Sequence, residues 1–462
     1  MKILVWHGWL LTGSGSNVYN ANIARCWRTA GHDVLLVCQD GDAHLLPFVD
    51  GVGAMTAGNS SFELTPTGAE PVAGSCVVVR PDIGRLLPVF VYDAYRGFEV
   101  KRFVDLTGEE LDGYVEHNVR ALAALIETWG PDAIITGHEV MGPEIARRAC
   151  EQAGTRYLAK LHGSGLEYAV KLQGRYRELA ASGLNGANVV VGGSEYMVQA
   201  AGAVIPGEWQ QCARVVNPGC DVELFKPVDR RSSALTVAYV GKLIASKGVH
   251  DLLAALGLTT RALRSVVVGY GGFENELHIL AAALQKGDLD SARAIAERGE
   301  GLPLKHLSDF LRDPPPGFFE RMSRVEVEFT GRLEHGPLSL LLPTFDVLVV
   351  PSVLPEAFGM VAAEAAACGV LPIVPDHSGI AEAGAAVEQA IGAPGLLTFD
   401  SNDPIRGIAD AIDRVLTIPV SQRAEMGRAA ADLAHERWSW ERVSTRLLGL
   451  ATMDGADDDD RL

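Results

Sequence analysis

The sequence predicts an α/β protein built from two doubly wound domains, each with a parallel sheet. Short apolar runs rich in β-branched residues alternate with longer helical stretches, and such continuous runs are typical of parallel strands buried on both faces. The alternation is interrupted once and then restarts, which indicates a second domain. The chain has 462 residues, of which 48% are hydrophobic, enough to fill two cores.

The predicted strands form two sets. Between the sets, Asn217-Pro218-Gly219 and Lys226-Pro227 interrupt the pattern, so we place the domain boundary within 217–229. The apolar runs of the first set are 3–6, 34–37, 133–136, 157–161, 189–191 and 215–216. Those of the second set are 237–239, 265–268, 327–329, 347–350 and 371–374, with helical stretches at 249–256 and 360–367 among them.

The organisation that follows has three parts. Residues 1–216 are expected to form an acceptor-side domain and residues 217–432 a nucleotide-sugar domain with an insertion near 283–320. Residues 433–462 are expected to form a helix that crosses back to the first domain, followed by a solvated tail of four aspartates at 457–460.

The composition excludes several classes of partner. Lys and Arg number 40 against 58 Asp and Glu, a formal net charge of −18, and no basic run offsets it, so we expect neither nucleic acid nor stable membrane association. The seven cysteines include no Cys-x-x-Cys pair and indicate buried thiols. The N-terminus enters a strand-like run without a secretory leader, so we expect a cytoplasmic protein.

A first glycine loop lies between the first strand and a helix that runs to about Ala30. Gly13 and Gly15 allow the backbone to approach a ligand closely, and the helix N-terminus offers unpaired N–H groups to an anion. A plain strand-to-helix turn explains the same pattern, because Val18 stands where a dinucleotide fingerprint requires glycine.

A second loop, 241–248, follows the run 237–240 and enters a helix. It begins at Gly241 and places two cations, Lys242 and Lys247, five residues apart beside a helix N-terminus, which suits a diphosphate. Surface lysines are the alternative. The next strand ends in a glycine turn whose backbone, at Gly271, would lie against a base, although alone it is only a turn.

The most specific segment is 351–364. Glu356 lies in the loop before a helix, and Glu364 lies inside that Ala-rich helix, where a carboxylate needs a partner or a ligand. The helix N-terminus at Phe358 and Gly359 points to the same space, so phosphate and sugar hydroxyls would be satisfied together. The alternative is a capping Glu356 and a helix-surface Glu364.

In order and spacing, these segments resemble the retaining nucleotide-sugar glycosyltransferases of family four. That family has the GT-B fold, in which two Rossmann-like domains face each other across a cleft. The resemblance covers nearly the whole chain. Besides the three segments, it is carried by 31–34, His162-Gly163, Asn217-Pro218-Gly219-Cys220-Asp221 with Phe225, Thr330-Gly331, Asp346 with Pro351-Ser352, and Ser378-Gly379 with Glu382.

The resemblance implies roles for individual residues. Lys242 and Lys247 would hold the donor diphosphate and Glu364 the ribose hydroxyls. Glu356 would contact a hydroxyl of the donor sugar, and His162 would reach that sugar from the first domain, where a hydrogen-bonded core histidine is the alternative. The other implied donor contacts are Gly15, Gly241, Gly271, Arg332, Phe358, Gly359 and Met360.

The acceptor is less defined. The segment Gly15-Ser16-Asn17-Val18-Tyr19 resembles that of the branch which acts on small polyol or sugar-phosphate acceptors, so we expect Asn17, with the neighbouring Ser14, to contact the acceptor. Tyr95 is a further acceptor candidate. It belongs to a polar cluster that would receive an anionic acceptor and whose alternative is a solvated helix face: Tyr92, Tyr95, Arg96, Lys101 and Arg102. The chain also departs from the family: it has Lys242 where arginine is usual, and Ser378-Gly379 where two glycines are commoner.

The implied reaction passes a sugar from a nucleoside-diphosphate sugar, with UDP-sugar favoured, to a small soluble acceptor with retained configuration. The resemblance implies that the acceptor attacks on the face the diphosphate leaves and that a departing phosphate oxygen takes its proton. Lys242, Lys247 and the helix end at Phe358 and Gly359 would stabilise the leaving charge, so we expect neither cofactor nor metal. Two alternatives stay open: a sugar-nucleotide epimerase, and a non-catalytic protein that binds sugar nucleotides.

Overall fold

The structure is a computed structural model, and its contacts divide the chain into two compact units. Met1–Pro218 together with the segment from Trp440 onward form one unit, here the N-terminal domain, and Gly219–Ser439 form the other, here the C-terminal domain. The residues described are 1–56, 58–59, 61–92, 95–228 and 235–452. The predicted aspartate tail at 457–460 and Asp229, the last residue of the predicted boundary segment, lie outside these ranges.

The strands alternate with helices along both domains. The strands are β1 (Lys2–Trp6), β2 (Asp33–Val37), β3 (Gly51–Met55), β4 (Phe62–Pro66), β5 (Ser75–Arg80), β6 (Leu86–Val89), β7 (Glu99–Arg102), β8 (Ala133–Gly137), β9 (Leu158–Lys160), β10 (Val189–Gly192), β11 (Ala213–Val215), β12 (Thr236–Lys242), β13 (Arg264–Tyr270), β14 (Glu326–Gly331), β15 (Val347–Val349), β16 (Leu371–Pro375) and β17 (Thr398–Phe399). The α-helices are α1 (Gly15–Thr29), α2 (Gly108–Trp129), α3 (Gly142–Ala153), α4 (Gly174–Asn185), α5 (Glu195–Gly202), α6 (Val249–Leu256), α7 (Glu274–Lys286), α8 (Leu289–Arg298), α9 (Lys305–Phe310), α10 (Phe318–Met322), α11 (His335–Leu341), α12 (Met360–Ala367), α13 (Ser378–Ala390), α14 (Pro404–Thr417), α15 (Val420–Trp438) and α16 (Trp440–Thr452).

The N-terminal domain is built on a sheet with the order β11-β10-β9-β8-β1-β2-β5-β3-β4. Its neighbours pair in parallel except β3 with β4, which are antiparallel. Every residue of β8 is buried, as expected for a central strand covered on both faces. The α/β class with parallel sheets is therefore confirmed in this domain.

The last helix, α16, packs on α1 within the N-terminal domain. The indole nitrogen of Trp27 donates to the carbonyl oxygen of Ser444 at 2.9 Å, and the rings of Tyr19 and Trp440 meet edge to face with centroids 5.5 Å apart. Apolar and aromatic burial therefore holds the C-terminal segment on this domain.

The C-terminal domain has the sheet order β14-β13-β12-β15-β16-β17, with every pair parallel. This is the Rossmann order, and its direction reverses between β12 and β15. In such sheets ligands bind beyond the carboxyl ends of the strands at that reversal. The predicted loop 241–248 begins at the end of β12, and the predicted segment 351–364 follows β15.

The connection between β13 and β14 carries four helices, α7 to α10, where one crossover helix would suffice. Residues from α8, α9 and α10, including Ile295, Leu307 and Phe318, belong to the buried core of the domain. The insertion predicted near 283–320 is thus a packed part of this domain. In the described part of the chain, no helix combines the length and apolarity needed to cross a bilayer.

Candidate active site

The loops after β12 and β15 touch each other through backbone atoms. Gly248 has φ +70°, and a Cβ atom there would lie 1.8 Å from the carbonyl oxygen of Pro351, so this close approach requires glycine. The amide of Val353 also donates to the carbonyl oxygen of Ser246 at 3.0 Å. The two loops therefore pack together into one continuous surface at the carboxyl edge of the sheet.

An ion pair joins the two loops. Lys247 Nζ lies 2.7 Å from Glu356 Oε1, with 32% of the lysine and 17% of the glutamate side chain exposed. The Ser352 hydroxyl donates to the same carboxylate oxygen. Burial by itself raises the pKa of Glu356, but the charge of Lys247 and the hydrogen bonds from Lys247 and Ser352 bring that pKa below its usual value. The carboxylate is therefore ionised at neutral pH.

The backbone of Glu356 is fixed by the start of α13. Its amide donates to the Ser378 hydroxyl at 3.0 Å, and its carbonyl oxygen accepts from the amide of Gly379 at 2.9 Å. The imidazole of His377 lies 3.1 Å from the Ser352 carbonyl oxygen. His377 was not predicted from the sequence, and Ser352 and Ser378 were predicted only through the resemblance, because no spacing rule links them to Glu356.

Glu364 lies on α12 and is 8% exposed. Burial raises its pKa to about 8, so it is mostly protonated at neutral pH. Among the described residues its carboxyl group has no hydrogen-bond partner, which leaves that group available to a ligand hydroxyl.

The N-terminus of α12 presents backbone donors beside Glu356. Gly359 has φ +85°, and a Cβ atom there would lie 2.5 Å from the Ile380 side chain. Phe358 is buried with its ring centroid 5.5 Å from that of Trp438, which fixes the turn. The amides of Phe358 and Gly359 donate to no other described residue, and Met360 begins the helix, so this end can receive an anion.

The remaining predicted donor residues line the neighbouring loops. Lys242 and Gly241 end β12, and the Lys242 side chain is exposed. A Cβ atom at Gly271 would lie 2.2 Å from the Leu243 carbonyl oxygen, so this glycine allows the loops to pack. The guanidinium of Arg332 lies 5.2 Å from the ring centroid of Tyr270 and also forms an ion pair at 2.9 Å, with Glu334.

In the N-terminal domain, the first glycine loop caps α1. Ser14 is the N-cap, and its hydroxyl accepts from the amide of Asn17 at 3.4 Å. The Asn17 side chain is buried; its oxygen lies 2.9 Å from His7 Nε2, and its nitrogen donates to the Thr12 carbonyl oxygen at 2.5 Å. Beside Gly15 the space for a Cβ atom is open. The Asn17 amide is thus engaged within its own domain.

His162 lies in the turn after β9 and packs against other rings. Its centroid is 4.8 Å from that of His138 and 5.2 Å from that of Tyr19. Burial, with the nearby His138 and Lys160, holds its pKa well below the usual value, so the imidazole is neutral. A neutral imidazole has one donor and one acceptor nitrogen, so it can donate a hydrogen bond to a hydroxyl or accept one from it.

A buried carboxylate that was not predicted from the sequence holds this turn. Glu139 Oε1 accepts from the amides of His162 at 3.1 Å and Gly163 at 2.8 Å, and Oε2 accepts from the amide of Leu166 at 3.0 Å. Burial raises the pKa of Glu139 even though these donors oppose the shift. Glu139 therefore positions His162 through its backbone.

Two of the three cations in the polar cluster that contains Tyr95 form ion pairs. Lys101 forms an ion pair with Glu110, and Arg102 pairs with Asp105 at 2.7 Å. Tyr95 itself is half-buried. These two cations are compensated within their own domain. Across the described ranges, no group of three His, Cys, Asp or Glu side chains is arranged to hold a metal ion.

Family comparisons match both halves of the chain. Residues 14–217 match the model described as Glycosyl transferase 4-like domain, and residues 320–433 match Glycosyl transferases group 1. The D-inositol 3-phosphate glycosyltransferase of Saccharomonospora viridis is 29% identical over 240 residues, which are 51% of this chain and 49% of that protein. The chain thus spans about half the length of this curated relative.

Solved structures of similar fold cover nearly the whole chain. Sucrose-phosphate synthase from Thermosynechococcus elongatus has a TM-score of 0.59 at 17% identity and covers 97% of this chain and 98% of its own. Anabaena HepE in complex with UDP has a TM-score of 0.61 at 17% identity and covers 97% and 99%. At these identities the likeness is one of fold.

Proposed function

We propose that this chain, a family-4-like glycosyltransferase with the GT-B fold, moves a sugar from a UDP-sugar to a small polar acceptor with retention of configuration. The observation that carries the proposal is the Lys247–Glu356 ion pair, which lies beside the open N-terminus of α12 at the reversal of a Rossmann sheet. This arrangement places a cation, a carboxylate and unpaired N–H groups side by side, as a sugar diphosphate requires.

In the proposed reaction, the chain stabilises negative charge on the leaving diphosphate. Lys247, Lys242 and the amides of Phe358 and Gly359 face the phosphates, and such preorganised donors act where charge develops. Glu356, held by Ser352 and Lys247, accepts a hydrogen bond from the donor sugar. The acceptor hydroxyl attacks the anomeric carbon on the face that the diphosphate leaves, the bond from that carbon to the diphosphate breaks, and a departing phosphate oxygen takes the acceptor proton. Because attack comes from that face, retention needs no protein nucleophile.

Glu364 fits the ribose in this proposal. A buried carboxyl group with no partner among the described residues is costly unless a ligand satisfies it. Two vicinal ribose hydroxyls can donate to the ionised carboxylate, so nucleotide binding would lower the pKa of Glu364 from about 8.

The comparisons support the choice of substrates by analogy. HepE was solved with UDP and with UDP-glucose, which favours a uridine donor. Curated relatives carry the name D-inositol 3-phosphate glycosyltransferase, which favours a small polyol phosphate or sugar phosphate as acceptor. The formal charge of −18 also disfavours an acceptor embedded in an anionic membrane.

The first test is a thermal-shift panel of nucleoside diphosphates and their sugars. A ligand at 100 times its dissociation constant stabilises the folded state by about 2.7 kcal/mol. We expect UDP and one UDP-sugar to raise the melting temperature, and ADP and GDP to raise it less. If none of the panel shifts the transition, the transferase proposal fails, and if UDP-sugars interconvert without an acceptor, the protein is an epimerase.

A second test concerns metal ions. Because Lys242, Lys247 and the α12 N-terminus supply the positive charge, we propose that transfer needs no divalent cation and expect the rate to be unchanged in EDTA. The measurement is UDP release with and without EDTA, followed by MgCl2. Activity that disappears with EDTA and returns with Mg²⁺ would assign the charge stabilisation to a metal instead.

A further inference from the structure

The insertion between β13 and β14 reaches the loop that carries both lysines. Glu300 follows α8, and its Oε2 accepts a hydrogen bond from the amide of Ala245 at 2.9 Å. Ala245 lies between Lys242 and Lys247. The other oxygen, Oε1, would lie 3.3 Å from a Cβ atom at Gly272, in the glycine turn after β13.

The chain around Glu300 is shaped to present this side chain. Gly299 has φ +48° and Gly301 has φ +92°, backbone conformations that side chains rarely adopt. A Cβ atom at Gly299 would also lie 2.0 Å from the Leu302 carbonyl oxygen, so the turn after α8 requires glycine there. The position of Glu300 is therefore set by the turn as well as by its own rotamer.

A second contact joins the insertion to the far end of the same loop. His306 on α9 has Nδ1 3.6 Å from Asp251 Oδ2. Helix α6 begins directly after Gly248, and Asp251 is fully buried in its first turn. The Asp251 amide donates to the Gly248 carbonyl oxygen at 2.9 Å. The insertion thus contacts the middle of the loop at Ala245 and the helix turn just after the loop at Asp251.

The insertion is anchored firmly enough to act as a support. The guanidinium of Arg293 on α8 donates to the carbonyl oxygen of Leu311 at 3.0 Å and 2.8 Å, and Ile295 and Leu307 are buried in the domain core. A flexible flap would lack such packing.

We propose that the insertion positions loop 241–248, here called the diphosphate loop, and that Glu300 is the positioning residue through which the insertion acts. This inference rests on the proposed function, in which that loop binds the donor diphosphate. By holding the Ala245 amide, Glu300 keeps Lys242 and Lys247 in the geometry that two phosphates require.

The charge of Glu300 makes the proposal easy to distinguish from a simple electrostatic effect. A carboxylate near a bound diphosphate repels it, so electrostatics alone predicts that removing Glu300 strengthens UDP binding. Positioning predicts the opposite. The Glu300→Gln variant separates the two, because the amide oxygen still accepts from Ala245 while the charge is gone.

The experiment compares Glu300→Ala, Glu300→Gln and, as a control, Glu297→Ala, an exposed glutamate on the same insertion. Hydrogen–deuterium exchange of a peptide spanning 243–248 reports the Ala245 contact without any ligand, and calorimetry with UDP reports binding. We expect about tenfold faster exchange and about tenfold weaker UDP binding in Glu300→Ala, as for loss of one hydrogen bond to a charged group. Glu300→Gln and Glu297→Ala should stay within about twofold of the parent, since one keeps the acceptor and the other touches nothing at the loop.

Unchanged exchange in Glu300→Ala, or UDP binding that is equal or tighter, would overturn the proposal. Lys247→Ala serves as the reference for the proposed function. If Lys247→Ala weakens UDP binding and Glu300→Ala does not, only the positioning inference fails. If the parent protein does not bind UDP, the proposed function fails, while the exchange data still decide whether Glu300 supports the loop.

Discussion

The Glu356→Gln variant is expected to lose about 100-fold in turnover, as when an enzyme loses one contact made in the transition state. The change preserves size and removes the charge that pairs with Lys247 at 2.7 Å. Lys247→Ala should cost a similar factor, because it removes a phosphate contact and leaves the carboxylate without its cation. The measurement is kcat for UDP release at saturating donor and acceptor.

The ion pair also predicts how the two changes combine. Residues that act as one unit show non-additive effects, so the double variant Lys247→Ala/Glu356→Gln should lose far less than the product of the two single losses. Glu328→Gln is the matched control, because it removes a carboxylate from an ion pair with Arg264 in the same domain. Near-parental turnover in either single variant would contradict its role.

The pH dependence of this site follows from the lowered pKa of Glu356. For an acid whose folded-state pKa is lowered, the stabilisation is fully present above the unfolded-state pKa and is lost as the pH falls through the folded value. The Glu356 side of the ion pair therefore contributes fully at neutral pH and weakens as the pH falls into the acid range. Glu364, with its pKa raised to about 8, is the group in this site that titrates near neutrality.

Most central strands could be predicted from the sequence because they are continuous apolar runs. The runs at 34–37, 133–136 and 371–374 coincide with β2, β8 and β16 to within a residue. The strands β3 and β4 were missed, since Gly51–Met55 contains two glycines and Phe62–Pro66 is mostly exposed at the edge of the sheet. The run 76–79 inside β5 is as apolar as the recognised ones and was overlooked.

The site was predictable only where its residues lie in a local sequence pattern. Lys247 and Glu356 carry local signals, a glycine loop and a helix start, but nothing in the spacing of 109 residues shows that they form an ion pair. That contact exists because β12 and β15 are neighbours in the sheet. Glu139 and Glu300 carry no local signal at all, since their roles depend on which backbone amides the fold brings to them.

The second large effect is expected at Glu139, where Glu139→Ala should destabilise the N-terminal domain by about 3 kcal/mol. The change leaves the buried amide of Leu166 and the part-buried amides of His162 and Gly163 without their acceptor. An unsatisfied buried group costs about 1–3 kcal/mol, a part-buried one costs less, and removal of a buried charge offsets part of the loss. Glu139→Gln should rescue the loss only in part, because its amide oxygen can keep the two donors of Oε1 while its amide nitrogen faces the third N–H donor. Urea unfolding followed by tryptophan fluorescence measures the effect in the right domain, since every tryptophan except Trp438 belongs to it.

Activity and stability together test whether Glu139 acts through His162. Glu151→Gln, an exposed carboxylate on α3 that pairs with Arg147, is the control and should change stability by less than about 0.5 kcal/mol. Because the turn that carries His162 loses its fixed backbone, we expect Glu139→Ala to lower kcat even at temperatures where the variant remains folded. UDP binding by the C-terminal domain should persist in that variant, since Lys247, Glu356 and Glu364 are untouched. If the folded variant unfolds at the parental urea concentration and turns over at the parental rate, then the three hydrogen bonds of Glu139 do not position His162.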